Sequence, residues 1–403
     1  MLALAMSMAY MPVHVLAEEP VYEETDPVIA EETEVEEVSL DEEPEDIAET
    51  EETEEFGEEA PESIAYLDDM GRTVYRDGDY TVVDGSTRTL ESGFYVAEGN
   101  VTIEDVITVR GAVTLCLKNG SKLDVEAINV SRGNQITITS EPGMSGQLIT
   151  GRTAGNLWNA GIGGGYQEDA GMVIINGGTI DAHAFVAAGI GGFDGYGGIV
   201  VINDGKVTAS SEWMGAGIGC GDHGTVGTIE INGGTVKAFG GADGAGIGSG
   251  TWAHFTDSCI TINYGDVYAK GGQGAAGIGA GRYSDAINEI HINGGNAEAV
   301  AGSRGEEGAG AAIGNCAGKA GGLVEITNAS VNVNFAGNGG AVGDGELTSA
   351  NVTEHTTVVL GKNLYVHTAD QSRFFDAPIS GDARYDAICR RGENVFYALI
   401  ATC

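Results

Sequence analysis

Residues Ala160–Ala182 read AGIGGGYQEDAGMVIINGGTIDA, a glycine cluster followed by an INGGT segment that has the form of a turn entering a strand. A nucleotide-binding loop occurs once per site, whereas a structural unit recurs. The cluster recurs as AGIGGF at Ala188, AGIGCG at Ala216, AGIGSG at Ala245 and AGIGAG at Ala276, with weaker copies AAIGNC at Ala311 and GAVGDG at Gly340. The second half recurs in step, as INDGKVTA from Ile202, INGGTVKA from Ile231, INYGDVYA from Ile262, INGGNAEA from Ile292 and ITNASVNV from Ile326. From Ile162 to Ile313 the central isoleucines of the glycine motif are 28, 28, 29, 31 and 35 residues apart. The chain therefore contains a repeat array, and its period sets the fold class before its length does.

Within a unit the residues alternate. In TIEINGGTVKA, Ile229, Ile231, Val236 and Ala238 point one way while Glu230, Thr235 and Lys237 point the other, the period of a half-buried strand. About 28 residues are too few for a four-stranded propeller blade and carry no helical period. They fit one coil of a right-handed parallel β-helix whose three short strands, IxI, TVxA and AGIG, each pair with the next coil at about 4.8 Å. The second glycine of INGG (Gly178, Gly205, Gly234, Gly265, Gly295) is expected at a corner that needs positive φ or close approach of the next coil. The preceding Asn176, Asn203, Asn232, Asn263 and Asn293 are expected to stack amide on amide. Ala329 and Thr327 break these columns, which predicts a distorted last coil. Upstream, VTIEDVITV, AVTLCLKNGSKLDV and NQITITSE extend the solenoid toward the N-terminus.

The division expected is a signal peptide at 1–17, an acidic linker at 18–63, an entry cap at 64–100, the solenoid at 101–350 and an exit cap at 351–403. The apolar start ends in Val15-Leu16-Ala17, which fits signal-peptidase cleavage, and its lack of a basic n-region predicts a start inside a longer signal peptide. Glu18 to Glu62 holds 23 Asp and Glu and no Lys or Arg, out of a net charge of −41, and reads as a disordered spacer of at most about 150 Å. The remaining net charge of −18 (−41 less −23) argues against nucleic acid and anionic membrane as partners. Sixty-six glycines with only seven prolines exclude collagen. The cysteines Cys116, Cys220, Cys259, Cys316, Cys389 and Cys403 show no zinc spacing and read as small core or corner residues. Cys389 and Cys403 are a candidate disulfide, worth roughly 3 kcal/mol if formed.

A phosphate loop is excluded because no GxxxxGK(S/T) occurs and strands, not helices, follow the glycines. No nine-residue calcium-solenoid period occurs either, GGAVGDGEL from Gly339 being a single near miss. Asp169, Asp194, Asp222, Asp257 and Asp285 are candidates for weak calcium binding, but their offsets from the motif differ and solvated turns are the preferred reading. No other cofactor or metal is expected. Two outward columns are legible: Asp181, Thr208, Lys237, Tyr268, Glu298, Asn332, and beside it Thr179, Lys206, Thr235, Asp266, Asn296, Ser330. Asp266 and Glu298, one coil apart with Lys237 nearby, are the candidate catalytic group if the chain is an enzyme. His291 reads as an ordinary surface histidine. Trp158 and Trp213 precede the AGIG strand, and Tyr166, Phe193, Tyr196, Trp252, Phe255 and Tyr283 follow it. Aromatic rings on an exposed ledge suit the apolar faces of sugars. The expected site is a strip of Trp158, Trp213 and Trp252 with Tyr166 and Tyr283, and with Asp222 and His223 as hydroxyl partners. The competing reading is that these rings are local corner packing.

The ladder of AGIGGG and GxIxINGGTVxA, preceded by the NVTIxxxITVRGAVTLCLKNGSKL region, resembles the secreted β-solenoid proteins of gut Firmicutes described as carbohydrate-binding-domain-containing, over about residues 95–350. The resemblance implies an extracellular bacterial protein that meets host or dietary glycans; members often carry a wall anchor, whose LPxTG motif is not found in this sequence. The function expected is a non-catalytic, adhesin-like glycan or glycoprotein binder that is secreted or held at the cell surface. It is expected to act as a monomer with no membrane insertion of the mature chain. The alternatives are a polysaccharide lyase or glycoside hydrolase on the same scaffold, and a structural stalk.

Overall fold

The computed structural model describes residues 63–375 except 152–157, 306–307, 335–338, 348–354 and 368–371. The expected signal peptide, the acidic linker up to residue 62, and Cys389 and Cys403 lie outside the described residues. The rest is a parallel β-helix with three faces, and no α-helix occurs among the described residues. The first face is an eleven-stranded parallel sheet running from Thr81–Val82 through Thr228–Ile231 to Thr357–Leu360. The second carries the TVxA strands, such as Thr179–Ala184, Thr235–Phe239 and Ala329–Asn334. The third consists in the repeat region of two-residue strands, such as Ile218–Gly219 and Ile247–Gly248.

The expected strand parity holds residue for residue. Ile229 and Ile231 from the first face, Val236 and Ala238 from the second and Ile247 from the third are all buried, and they join one core that runs from Val83 to Leu360. Each Ile or Val contributes roughly 1.5–3 kcal/mol on burial. The asparagine column also forms. Asn203, Asn232, Asn263 and Asn293 each donate Nδ2–H to Oδ1 of the asparagine one coil before, at 2.8, 2.9, 2.7 and 2.9 Å. In the last copy Asn328 takes a left-handed conformation at φ 49° and its amide donates to the Lys362 carbonyl, so the corner is rebuilt one residue earlier. In the longest unit, between Ile278 and Ile313, Ser303 and Ala309 form an antiparallel bridge.

The entry differs from the expected cap at 64–100. Parallel pairing already begins at Thr81 with Tyr95, so the first coil occupies much of that range. What precedes it is an antiparallel hairpin of Ser63–Leu67 and Thr73–Asp77, which lies against the side of the solenoid rather than across its end. Val113, Leu115 and Leu117 point into the core, which leaves Phe94, Val96 and Cys116 on the outer surface of the first face. Ile64 packs on that apolar patch, the Tyr66 ring meets Phe94 edge-on at 5.0 Å, and the Thr139 hydroxyl donates to the Leu67 carbonyl at 2.6 Å. At the exit, Ser372–Phe375 pairs antiparallel with Leu364–His367 and shields that edge.

Glycines are required most strictly at the position after the third-face isoleucine. Gly248 has φ 133°, and a Cβ built on it would lie 2.0 Å from the carbonyl oxygen of Gly279 in the next coil. Gly219, Gly279 and Gly314 meet their neighbours in the same way. The INGG corner is less tight: Gly234 has φ 77° and its Cβ would come 2.6 Å from the Gly205 oxygen. Gly120 has nearly the same φ, 76°, with open space around it. Gly120→Ala should therefore lose only the conformational term of about 1–3 kcal/mol, while Gly248→Ala adds overpacking of a further 1–3 kcal/mol or so. Gly234→Val should fall between the two or match Gly248→Ala. Urea unfolding of the purified variants checks this order, and equal losses at Gly120 and Gly248 would contradict the close approach of coils.

Candidate functional site

Only part of the expected ring strip comes together, at the turn that follows the third-face strands Ile218–Gly219, Ile247–Gly248 and Ile278–Gly279. Seven residues after the first alanine of the motif stand Gln167, His223, Trp252 and Tyr283, all left-handed with φ of 57°, 58°, 55° and 61°. Bulky residues seldom adopt this region. Here the backbone ladder holds them in it: the His223 amide donates to the Thr251 carbonyl at 2.8 Å and the Trp252 amide to Arg282 at 3.1 Å. Equivalent turns in successive coils then place ring over ring. Trp252 stacks on Tyr283 at 4.4 Å and 22°, and His223 lies on the other side of Trp252 at 6.5 Å and 20°. The guanidinium of buried Arg282 sits 4.1 Å from the Tyr283 ring centroid and pairs with Asp243 at 3.4 Å. Asp222 pairs with His223 at 3.0 Å.

This brings Trp252, Tyr283, His223 and Asp222 together and leaves the other predicted residues in separate groups. Trp158 packs against Tyr166 at 5.6 Å and against Phe193 at 5.7 Å, while Trp213 meets Phe185 edge-on at 6.0 Å. Among the described residues no ring contact joins the three tryptophans to one another. All three are about half exposed, but Trp252 has neighbouring rings on both faces, so less of its π surface is open to a sugar. Acidic turn residues are engaged one by one. Asp169 accepts the Tyr196 amide, which holds its carboxyl below the usual range, Asp194 accepts the Gln167 amide, and Asp285 pairs with His254.

A second surface lies on the outer side of the second face. The two columns read from the sequence pair as expected, with Lys237 opposite Tyr268, Tyr268 opposite Glu298, and Asp266 between Thr235 and Asn296. From the coil of Thr235 and Lys237 to that of Ser330 and Asn332 they line a shallow groove of about 770 Å³. Its aromatic floor is the Phe239–Tyr268 pair, with centroids 5.7 Å apart, and Lys237, Asp266, Asn296 and Glu298 supply polar groups around it. Asn296 donates to Asp266 at 2.8 Å and Asn334 to Glu298 at 3.2 Å, so both carboxylates are oriented by amides of the next coil. Burial, and after it the charge of Glu298, pushes the Tyr268 hydroxyl above the usual phenol range and keeps it a donor. Phe239 joins this site without being among the residues expected there. It ends its strand next to a Gly-Gly pair, and only the register shows it beside Tyr268.

The thiols divide by burial. Cys116, Cys220 and Cys316 are buried, and loss of hydration pushes their pKa values up to about 12, 12 and 11, which leaves them protonated packing groups. Cys259 is different, being half-buried on the outer side of the first face. Its Sγ, a Glu289 oxygen and a His291 nitrogen lie within 4.8 Å of one another. No spacing signal marks this group along the chain, because its members lie on two coils.

The beta helix repeat family matches the chain four times, at residues 173–196, 200–222, 229–251 and 260–282. Each match starts at the second residue of a first-face strand, so the family's repeat and the structural coil share one phase. No curated protein and no solved structure matches the chain. Repeat match and strand pairing agree on what the chain is similar to and how it is built: a parallel β-helix repeat protein.

Proposed function

We propose that this protein is a secreted or surface-displayed, non-catalytic binder of glycans or glycoproteins, and that the groove on the second face is where it holds them. The observation that carries this reading is the Phe239–Tyr268 ring pair bordered by ammonium, amide and carboxylate groups along a line that crosses several coils. Saccharides offer apolar C–H faces to aromatic rings and hydroxyls to polar neighbours, and a groove of this composition answers both. The acidic chain makes a neutral glycan a better ligand than a polyanion. The apolar start, the acidic spacer and the resemblance described above support display outside the cell.

A carbohydrate-active enzyme is the second reading, favoured by one observation: Asp266, Glu298 and Lys237 line the same groove. The two readings separate cleanly. Titration of glycan-array hits by calorimetry should give Tyr268→Ala an affinity at least about fivefold weaker than the parent, the loss expected for one stacking contact of about 1 kcal/mol. Trp213→Ala should leave that affinity unchanged, and a loss there with none at Tyr268 would move the site to the Phe185–Trp213 ring pair. Incubation with mucin and plant polysaccharides should release no new reducing ends or unsaturated products. Product formation that disappears in Asp266→Asn would replace the binding reading with the enzymatic one.

A further inference from the structure

We propose that Cys259, Glu289 and His291 form a divalent transition-metal site on the outer side of the first face, with zinc as the fitting ion. The site is built by strand register. Cys259 pairs directly with Glu289 of the next coil and Thr261 with His291, so the thiol, the carboxylate and the imidazole project from one surface of two adjacent strands. Glu289 and His291 are two residues apart on one strand and share its face.

The donor set is that of a zinc site with an open position: one sulfur, one imidazole nitrogen and one carboxylate oxygen. Zinc bonds of about 2.0–2.3 Å in a tetrahedron put the ligand atoms roughly 3.5 Å from each other. The three atoms are already within 4.8 Å, and His291 Nε2 lies 3.3 Å from the Glu289 carboxylate, so small side-chain rotations complete the geometry. An independent observation concerns the other ring nitrogen. His291 pairs one coil on with Glu325, and its Nδ1 lies 3.3 Å from that carboxylate. A carboxylate accepting Nδ1–H holds the imidazole in the tautomer whose Nε2 coordinates, the usual support of a metal-bound histidine. A histidine set between two carboxylates needs no metal for its own stability. The thiol on the neighbouring strand is what a simple ion-pair network would not require, and it sets this group apart from the solvated acidic turns. Because the site and the glycan groove lie on different faces, neither depends on the other. Bound metal would tie together the coils that carry Cys259 and Glu289 and leave one coordination position for water or an exogenous donor.

The test uses the whole chain, freed of metal by chelation and kept reduced. Calorimetric titration with zinc should show one tight equivalent. Cobalt loading should produce a thiolate-to-metal charge-transfer band in the near ultraviolet, with the d–d absorption of a four-coordinate ion. Cys259→Ser should abolish the charge-transfer band, and His291→Ala should weaken zinc binding at least tenfold. Glu325→Gln should weaken it by about 10-fold while the band persists, because that residue positions the ligand. His254→Ala, on an exposed turn, should change nothing. Circular dichroism of each variant establishes that the β structure is retained, and Glu289→Gln serves if Cys259→Ser does not fold. Zinc uptake without a thiolate band in the cobalt form, or equal affinity in His291→Ala, would overturn the proposal.

Discussion

The close approach of successive coils at the third face is the constraint on which this structure rests. That side of the cross-section is two residues wide, and the alanine amide that opens each AGIG turn donates to the carbonyl four residues later, as Ala245 does to Ser249 at 2.9 Å. A turn this tight leaves no room between coils for a Cβ at the second glycine, where the neighbouring carbonyl oxygen would be about 2 Å away. Glycine in a strand ordinarily costs about 0.5–1 kcal/mol. Here every larger residue costs more, and the isoleucine that the turn delivers to the core more than offsets the loss.

Once the coils are that close, every equivalent position becomes a column. Interior isoleucines stack on isoleucines, and the corner asparagines pass one hydrogen bond from coil to coil. The aromatic turn follows the same rule. Left-handed backbone at His223, Trp252 and Tyr283 puts three flat rings in register, and their mutual stacking uses surface that each would otherwise offer to a ligand. Repetition thus builds stability and uses up binding surface at the same positions.

The period, the strand parity, the asparagine ladder and the outward columns of the second face were all legible in the sequence because each depends on spacing along one unit. Ile229 and Ile231 declare their direction by alternation alone. Other features depend on what lies beside a residue after folding. The apolar patch of Phe94, Val96 and Cys116 that receives the N-terminal hairpin looks like any other set of alternating strand residues until inward and outward positions are known. Trp158, Trp213 and Trp252 share a neighbourhood in the sequence, but they stand at different offsets from the glycine motif and so fall into three ring clusters. Phe239 shows its neighbour Tyr268 only through the register, and Cys259, expected as a small core or corner residue, faces outward instead, beside Glu289 and His291, which lie 30 and 32 residues downstream.

Function on such a scaffold has to come from columns that are not uniform. A column of one residue type satisfies itself, amide to amide or ring to ring, and presents little unmet chemistry to a partner. The second face departs from this where Phe239 and Tyr268 meet across columns that otherwise carry Lys237, Asp266 and Glu298, and the mixture leaves donors, acceptors and a ring floor facing outward. The first face departs from it where Thr228 is followed by Cys259 and Glu289, and Thr261 by His291 and Glu325, so that three kinds of ligand atom converge within two coils. At both candidate sites the outward residues change in chemical type from coil to coil while the inward ones stay apolar. Variation is tolerated there for a physical reason: outward side chains do not set the distance between coils, whereas the glycines of the third face and the isoleucines of the core do.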